Sequence, residues 1–302
     1  MKKTSILILG SNGFIGSHLV DHFLNSGLTV SGCDVTDSTN PAIAFYKLNT
    51  QSSALENIFN VQRFDYCINA AGNGNLNQSI SDPEFDFNTN TQFTFQILEK
   101  LRVFSPECKY LHISSAAVYG NPQSLPVAEN SIINPISPYG WHKYLSELLC
   151  KEYYTLYGIR SAIIRPFSVY GPGLKKQIFW DVFEKIKSNQ SEIELWGTGE
   201  ETRDFIYIDD LCAAIHLIIN NSSMSGDIFN VSSGNMTTIA DAVNLLLYKM
   251  KTSVNVQFNG KVRAGNPDKW QADIKKINAL GFLPSVNFEQ GINKVADWLM
   301  KQ

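Results

Sequence analysis

Through its first 165 residues the chain alternates short apolar runs with longer amphipathic stretches. The runs are SILIL (5–9), LTVSGC (28–33), AFYKL (44–48), DYCIN (65–69), YLHIS (110–114) and RSAII (160–164); helical patterns follow Gly13, begin near residue 52, span 84–104 and start at Tyr139. A run that is apolar at nearly every position fits a strand covered on both faces, and strands separated by helices pair in parallel. The rhythm therefore predicts an α/β fold, a doubly wound parallel sheet. After Arg165 it loosens into Gly- and Pro-rich links, with helices expected at 176–189, from Asp209, at 237–250 and at 287–300, and strands at 229–231 and 254–257. These links suggest a smaller C-terminal α/β lobe built around a cleft. The expected division is 1–168 and 169–302, with the chain returning to the first part near 205–232.

Totals exclude some classes of partner. A net charge of −3 and the lack of a long Lys/Arg run argue against nucleic acid, which needs a concentrated basic face. The N-terminal apolar run is five residues long, too short for a signal core or a membrane span. Five cysteines lie far apart with no C-x-x-C spacing, which suits reduced thiols and a cytoplasmic location, and no metal site is expected.

LILGSNGFIGSHL sets Gly10, Gly13 and Gly16 directly after the first strand and at the mouth of a helix. Glycines there permit a tight turn and let backbone N–H groups and the helix N-terminus approach a pyrophosphate. Asn12, Phe14 and Ile15 share that turn. Asp34 ends the next strand, 18 residues past Gly16, where a carboxylate can accept hydrogen bonds from the adenosine ribose. The following VTDSTN has no arginine to hold a 2′-phosphate, which favours NAD over NADP.

SPYGWHKYLSE (137–147) places Tyr139 four residues before Lys143, on one helix face. A neighbouring ammonium favours the ionised form of a phenol and draws its pKa toward the range useful for general acid–base catalysis. A solvated helix face with the same spacing is the bland alternative.

GSNGFIG (10–16), NAAG (69–72), ISSAAVYG (113–120), SPYGWHK (137–143), RPFSVYGPG (165–173) and GTGEETRDFIYIDD (197–210) occur in the order found in the extended short-chain dehydrogenases/reductases that modify nucleotide sugars, the NAD-dependent nucleotide-sugar epimerase/dehydratase family. The chain resembles that family from residue 5 to about 235. The resemblance implies a Rossmann-type NAD domain and a lobe that holds a nucleotide-diphosphate sugar against the nicotinamide. It implies that Tyr139 exchanges a proton with a sugar hydroxyl, that Lys143 binds the nicotinamide ribose and lowers the tyrosine pKa, and that Ser115 hydrogen-bonds the reacting oxygen. It further implies cofactor contacts from Asn49, Ala70, Ala71, Gly72, Asn90 and Pro166. Substrate contacts are implied for Asn75, Ser115, Ser168 and the diphosphate clamp Arg203, whose alternative is a surface pair with Asp204 or Glu200.

Some positions depart from the family pattern. Ser168 stands where relatives commonly carry Asn, and Asn49-Thr50 where many have Asp and an aliphatic residue. NAAGNGN adds Asn73, Asn75 and Asn77, which could line the sugar or serve as turn residues. His142 points away from the Tyr139/Lys143 face, toward solvent or a neighbouring helix. Dehydratases of the family follow the catalytic Ser/Thr with Asp-Glu; Ala116 and Ala117 occupy those positions, which argues against dehydration. The reading favours an epimerase acting at a sugar carbon, C4 by resemblance. A 4-keto reductase is the alternative, and a non-catalytic NAD-binding sensor a third class. Phe87, Phe93, Phe95, Tyr153, Tyr154 and Tyr157 are an aromatic surplus on two helices through which relatives dimerise, so a homodimer is expected.

Overall fold

The first apolar run forms β1 (Ser5–Leu9), whose five residues are all buried. The computed structural model describes residues 3–38, 40–48, 53–188, 191–261, 265 and 267–302. After β1 come α1 (Phe14–Asn25), β2 (Thr29–Asp34), β3 (Ala44–Lys47), α2 (Ser53–Val61), β4 (Tyr66–Asn69), α3 (Leu76–Ser81) and α4 (Pro83–Phe87). A π-helical turn (Asn88–Gln92) leads into α5 (Phe93–Phe104), then β5 (Lys109–Ile113), a 3-10 turn (Ala116–Tyr119), α6 (Pro138–Tyr157) and β6 (Ser161–Pro166). The remainder runs β7 (Ser168–Tyr170), α7 (Gln177–Lys187), β8 (Glu192–Leu195), β9 (Thr202–Tyr207), α8 (Ile208–Asn221), β10 (Ser225–Val231), β11 (Met236–Thr238), α9 (Ile239–Lys249), β12 (Asn255–Phe258), α10 (Lys275–Asn278) and α11 (Phe288–Leu299).

Seven parallel strands form the main sheet in the order β10-β6-β5-β4-β1-β2-β3. Successive residues of β1 serve opposite faces, as the strand period requires. Ile6 and Ile8 pack with Leu19, Val20 and Phe23 of α1 and with α8; Leu7 and Leu9 pack with Leu55, Ile58 and Phe59 of α2, with α5, and with Cys150 and Tyr153 of α6. The sheet is thus wound on both sides, as the strand composition predicts. Strand order reverses at β1, between β2 and β4, and a crevice at such a point is where open α/β sheets take ligands.

Beyond β6 the chain builds a three-stranded sheet, β11-β9-β7, and a parallel pair, β12 with β8. Strands β7, β8, β9 and β11 and helices α3 and α10 were not expected from the sequence. Each is short, and β9 follows a turn-rich GTGEE segment that masks it. Strand β10 begins earlier than the expected 229–231 and lies in the main sheet beside β6. The expected 84–104 helix is continuous in direction but changes type: Asp82 caps α4 by accepting from Phe85 N–H at 3.0 Å, Pro83 occupies its first turn, and the π-helical turn carries Asn90 and Thr91 inward to buried positions. Such π segments are frequent at functional sites.

Candidate active site

The crevice is floored by the loop after β1. Gly10 has φ +76°, and a Cβ there would lie 2.7 Å from the Ala71 backbone; a Cβ on Gly16 would lie 1.9 Å from the Gly10 carbonyl oxygen. Both glycines are thus imposed by the close approach of loop, helix and β4. Asn12 N–H donates to Asp34 Oδ2 at 3.0 Å and Asn12 Nδ2 to the Thr36 carbonyl at 2.9 Å, which draws the end of β2 against the turn. Among the described residues, Ser11 Oγ is buried with no hydrogen-bond partner. Phe14 and Ile15 are half-buried at the start of α1, a twelve-residue helix with no side-chain cap. Uncapped N–H groups, a shaped glycine turn and a carboxylate at the next strand end fit a dinucleotide. Ala70, Ala71 and Gly72 continue β4 into the same crevice, and Pro166 ends β6. Asn49 lies outside the described residues.

The second wall comes from α6. Ser137 caps it by accepting from Gly140 N–H at 3.1 Å, Pro138 fills the first turn, and Gly158 closes it at φ +71°. These caps fix where the helix begins and so place Tyr139 and Lys143 beside the ends of β4 and β5. Lys143 is buried; its Nζ donates to the Ile113 carbonyl at 3.1 Å and lies 5.9 Å from the centre of the Tyr139 ring. Ser115, at the C-terminal end of β5, faces Tyr139 and accepts from Ala117 N–H at 3.1 Å. Ser114 faces away: its Oγ donates to Glu147 Oε1 at 2.5 Å within a buried cluster in which Arg165 donates to both Glu147 oxygens at 2.9 and 2.6 Å and to Tyr119 Oη at 2.7 Å. Of the two adjacent serines, only Ser115 stands with the tyrosine.

The acid–base balance differs from the expectation. Burial pushes the Tyr139 hydroxyl up to about 12, against the pull of its Ser115 hydrogen bond, and the charge of Asp86 adds to the rise. Lys143 does not lower it. Burial brings Lys143 itself down to about 8, opposed by Asp86 and Glu147 and helped by Lys176. The expected acidified phenol is not what the structure holds: removal from water outweighs a cation that is turned toward a backbone carbonyl.

Asn90 is buried in the π-helical turn, donating to the Asn73 carbonyl and to Asp86 Oδ1, each at 3.2 Å. Asn75 caps α3, its side chain accepting from Gln78 N–H at 3.2 Å, and Asn73 accepts from Asn75 N–H at 2.9 Å, so both serve the turn. By register Ser168 and Arg203 fall on one face of the small sheet, since Ser168 pairs with Phe205, two residues from Arg203. Neither expected alternative partner engages Arg203: its Nη1 donates to the Thr202 carbonyl at 2.8 Å and its guanidinium stacks over Trp270, while burial lowers its pKa to about 10. Asp204 instead accepts from Ser232, Ser233, Gly234 and Ala272.

Sequence reasoning missed Asp86. It is fully buried, and its Oδ2 accepts from His142 Nδ1 at 2.6 Å, so the contact of His142 is the neighbouring α4. Aspartate at a helical position looks like a solvated face, and its partner lies 56 residues away. Among the described residues no group of three or more His, Cys, Asp or Glu side chains could hold a metal, and no helix is long and apolar enough to cross a membrane. All five cysteines are free and buried.

Comparison with known proteins agrees with this geometry. Residues 6–232 match the model of the NAD dependent epimerase/dehydratase family. A putative UDP-glucose 4-epimerase of Methanocaldococcus jannaschii is 32% identical over 97% of this chain and 98% of its own. Among solved structures, UDP-glucose 4-epimerase of Thermotoga maritima with UDP-glucose superposes with a TM-score of 0.91 at 28% identity, and UDP-glucuronic acid 4-epimerase of Bacillus cereus with UDP-glucuronic acid and NAD with 0.90 at 27%, each over 99% of both chains. A glycine cradle shaped for a dinucleotide, a family match over three quarters of the chain and full-length structural likeness agree: the chain belongs to the NAD-dependent epimerase/dehydratase family, and NAD is its cofactor.

Proposed function

We propose that this chain is a UDP-sugar 4-epimerase. One observation carries the reading: Tyr139, Ser115 and Lys143 converge at the mouth of the dinucleotide cradle while alanines follow the serine, leaving a site equipped for proton exchange at one sugar hydroxyl. Bound NAD supplies a hydride acceptor and, in its oxidised form, a positive ring. The Gly10–Gly16 turn and the N-terminus of α1 hold its pyrophosphate, Asp34 its adenosine ribose and Lys143 its nicotinamide ribose. Tyr139 takes the proton of the 4-hydroxyl and later returns it, with Ser115 donating to the reacting oxygen. Arg203 and Ser168 face the nucleotide diphosphate. The two solved relatives named above contain UDP-sugars, which supports uridine as the base.

The direct test mixes purified protein with UDP-glucose, UDP-N-acetylglucosamine and UDP-glucuronate while following nicotinamide absorbance. Interconversion of C4 epimers with no net absorbance change is expected. Net consumption of NADH with a 4-keto sugar would replace the reading by a reductase. Tight NAD binding with no conversion would replace it by a sensor.

A homodimer belongs to the same reading. Phe87 (40% exposed) on α4, Phe95 (45%) on α5 and Tyr157 (49%) on α6 leave an aromatic surface with Leu148 and Leu156, while Phe93 and Tyr153 of the expected surplus turn inward. Light scattering is expected to give twice the mass of 33.8 kDa; a monomer at micromolar concentration would refute it. Five free thiols support a cytoplasmic location.

A further inference from the structure

Asp86 sits on α4 immediately before the π-helical turn, and its carboxylate accepts from three other elements: His142 Nδ1 of α6 at 2.6 Å, Asn73 Nδ2 of the loop after β4 at 2.8 Å and Asn90 Nδ2 of the π-helical turn at 3.2 Å. A fully buried carboxylate is costly unless paired and hydrogen-bonded, and this one accepts from three side chains. The network is braced from behind, since Thr91 Oγ1 and Ser146 Oγ both donate to the His142 carbonyl, at 2.9 and 2.8 Å. In front, Asn90 Oδ1 and Lys143 Nζ flank the same backbone: a Cβ on Gly72 would lie 2.5 Å from the one and 3.5 Å from the other. Asn90 Oδ1 is buried and has no hydrogen-bond partner among the described residues.

We propose that Asp86, clamped by His142, is a positioning residue for Lys143: it orients Asn90 beside the lysine and sets a negative charge behind the buried ammonium. The inference rests on the catalytic reading above. The charged and titratable groups facing Lys143 are Tyr139 and Glu147 from α6, Asp86 from α4, His112 from β5 and Lys176 from the segment entering α7. Asp86 and Glu147 favour the ammonium, Lys176 opposes it, and Asp86 alone of the two carboxylates is not also bonded to an arginine.

The test is the pH dependence of NAD affinity in the purified full chain, titrated from about pH 6 to about pH 10, where loss of the Lys143 proton weakens binding. In Asp86→Asn the alkaline fall-off moves down by about one pH unit, the size of shift a nearby opposite charge produces. In Asp86→Glu the charge is kept and the fall-off stays at the wild-type pH. His142→Gln retains a donor for the carboxylate, so its fall-off does not move down. A profile for Asp86→Asn that superimposes on wild type overturns the proposal. So does a downward movement in His142→Gln, which would mean that lost packing, not lost charge, moves the profile, and that readout remains if Asp86→Asn does not fold. NAD titration needs no sugar, so a failure of the epimerase reading leaves this test intact.

Discussion

Tyr139 and Lys143 enter the site from one turn of α6, and burial drives each away from its charged form. The phenol therefore depends on what joins it in the complex, and Tyr139→Phe is expected to lower turnover by roughly 10²–10⁴-fold, the range of general acid–base catalysis, while NAD affinity measured by titration stays within about threefold. For Lys143 the sign follows from its folded pKa of about 8 against an ordinary value of 10.5. Below pH 8 the lysine is charged in both folded and unfolded chains, and the folded state bears the whole cost of burying it. Between 8 and 10.5 the unfolded chain binds more protons, so stability rises with pH. Relative to Lys143→Met, the ligand-free wild type is thus expected to gain on the order of 2–3 kcal/mol across that window in urea unfolding. That the tyrosine, lysine and serine lie together was legible from spacing and motif order. The direction of the tyrosine shift was not, because helical spacing reports who is near and says nothing of how dry the site is.

At the scale of elements, the β1–α1 turn tolerates little change. A methyl on Gly16 meets the Gly10 carbonyl at 1.9 Å, whereas one on Gly13 meets the same oxygen at 3.2 Å. Gly16→Ala is expected to force α1 off the sheet, with NAD affinity falling more than about tenfold and stability by about 1–3 kcal/mol, the usual cost of overpacking. Gly13→Ala should cost less on both counts in the same titration and melt. This joint was readable because strand, glycines and helix are contiguous in sequence. The short strands β7, β8, β9 and β11 were not, since runs of three to six residues carry little periodicity and are held by partners far along the chain. The Asp86–His142 pair escaped for the same reason: neither residue signals burial until α4 and α6 are packed together.

Across the whole molecule, the small sheet that presents Arg203 and Ser168 is tied down by a carboxylate beside the arginine. Asp204 is fully buried; its Oδ1 accepts from Ser232 Oγ at 2.6 Å and Ser233 Oγ at 2.8 Å, and its Oδ2 from Ala272 N–H at 2.9 Å. Burial raises its pKa, with the bond from Ser232 as the largest opposing influence. Asp204→Ala leaves several buried donors without a partner, each worth about 1–3 kcal/mol. We expect a loss of roughly 3 kcal/mol or more in chemical denaturation and a higher KM for the nucleotide sugar, because the sheet bearing Arg203 loses its anchor. An unchanged KM would show that Arg203 does not need that support.

Strand β10 closes the main sheet only after the chain has left it and built β7, α7, β8 and β9. During synthesis the glycine turn therefore emerges long before the strand that covers the β6 edge and the helix that covers α1. A nascent chain halted after residue 168 carries a complete phosphate-binding loop on an open, half-clothed sheet, prone to recruit a foreign strand along β6.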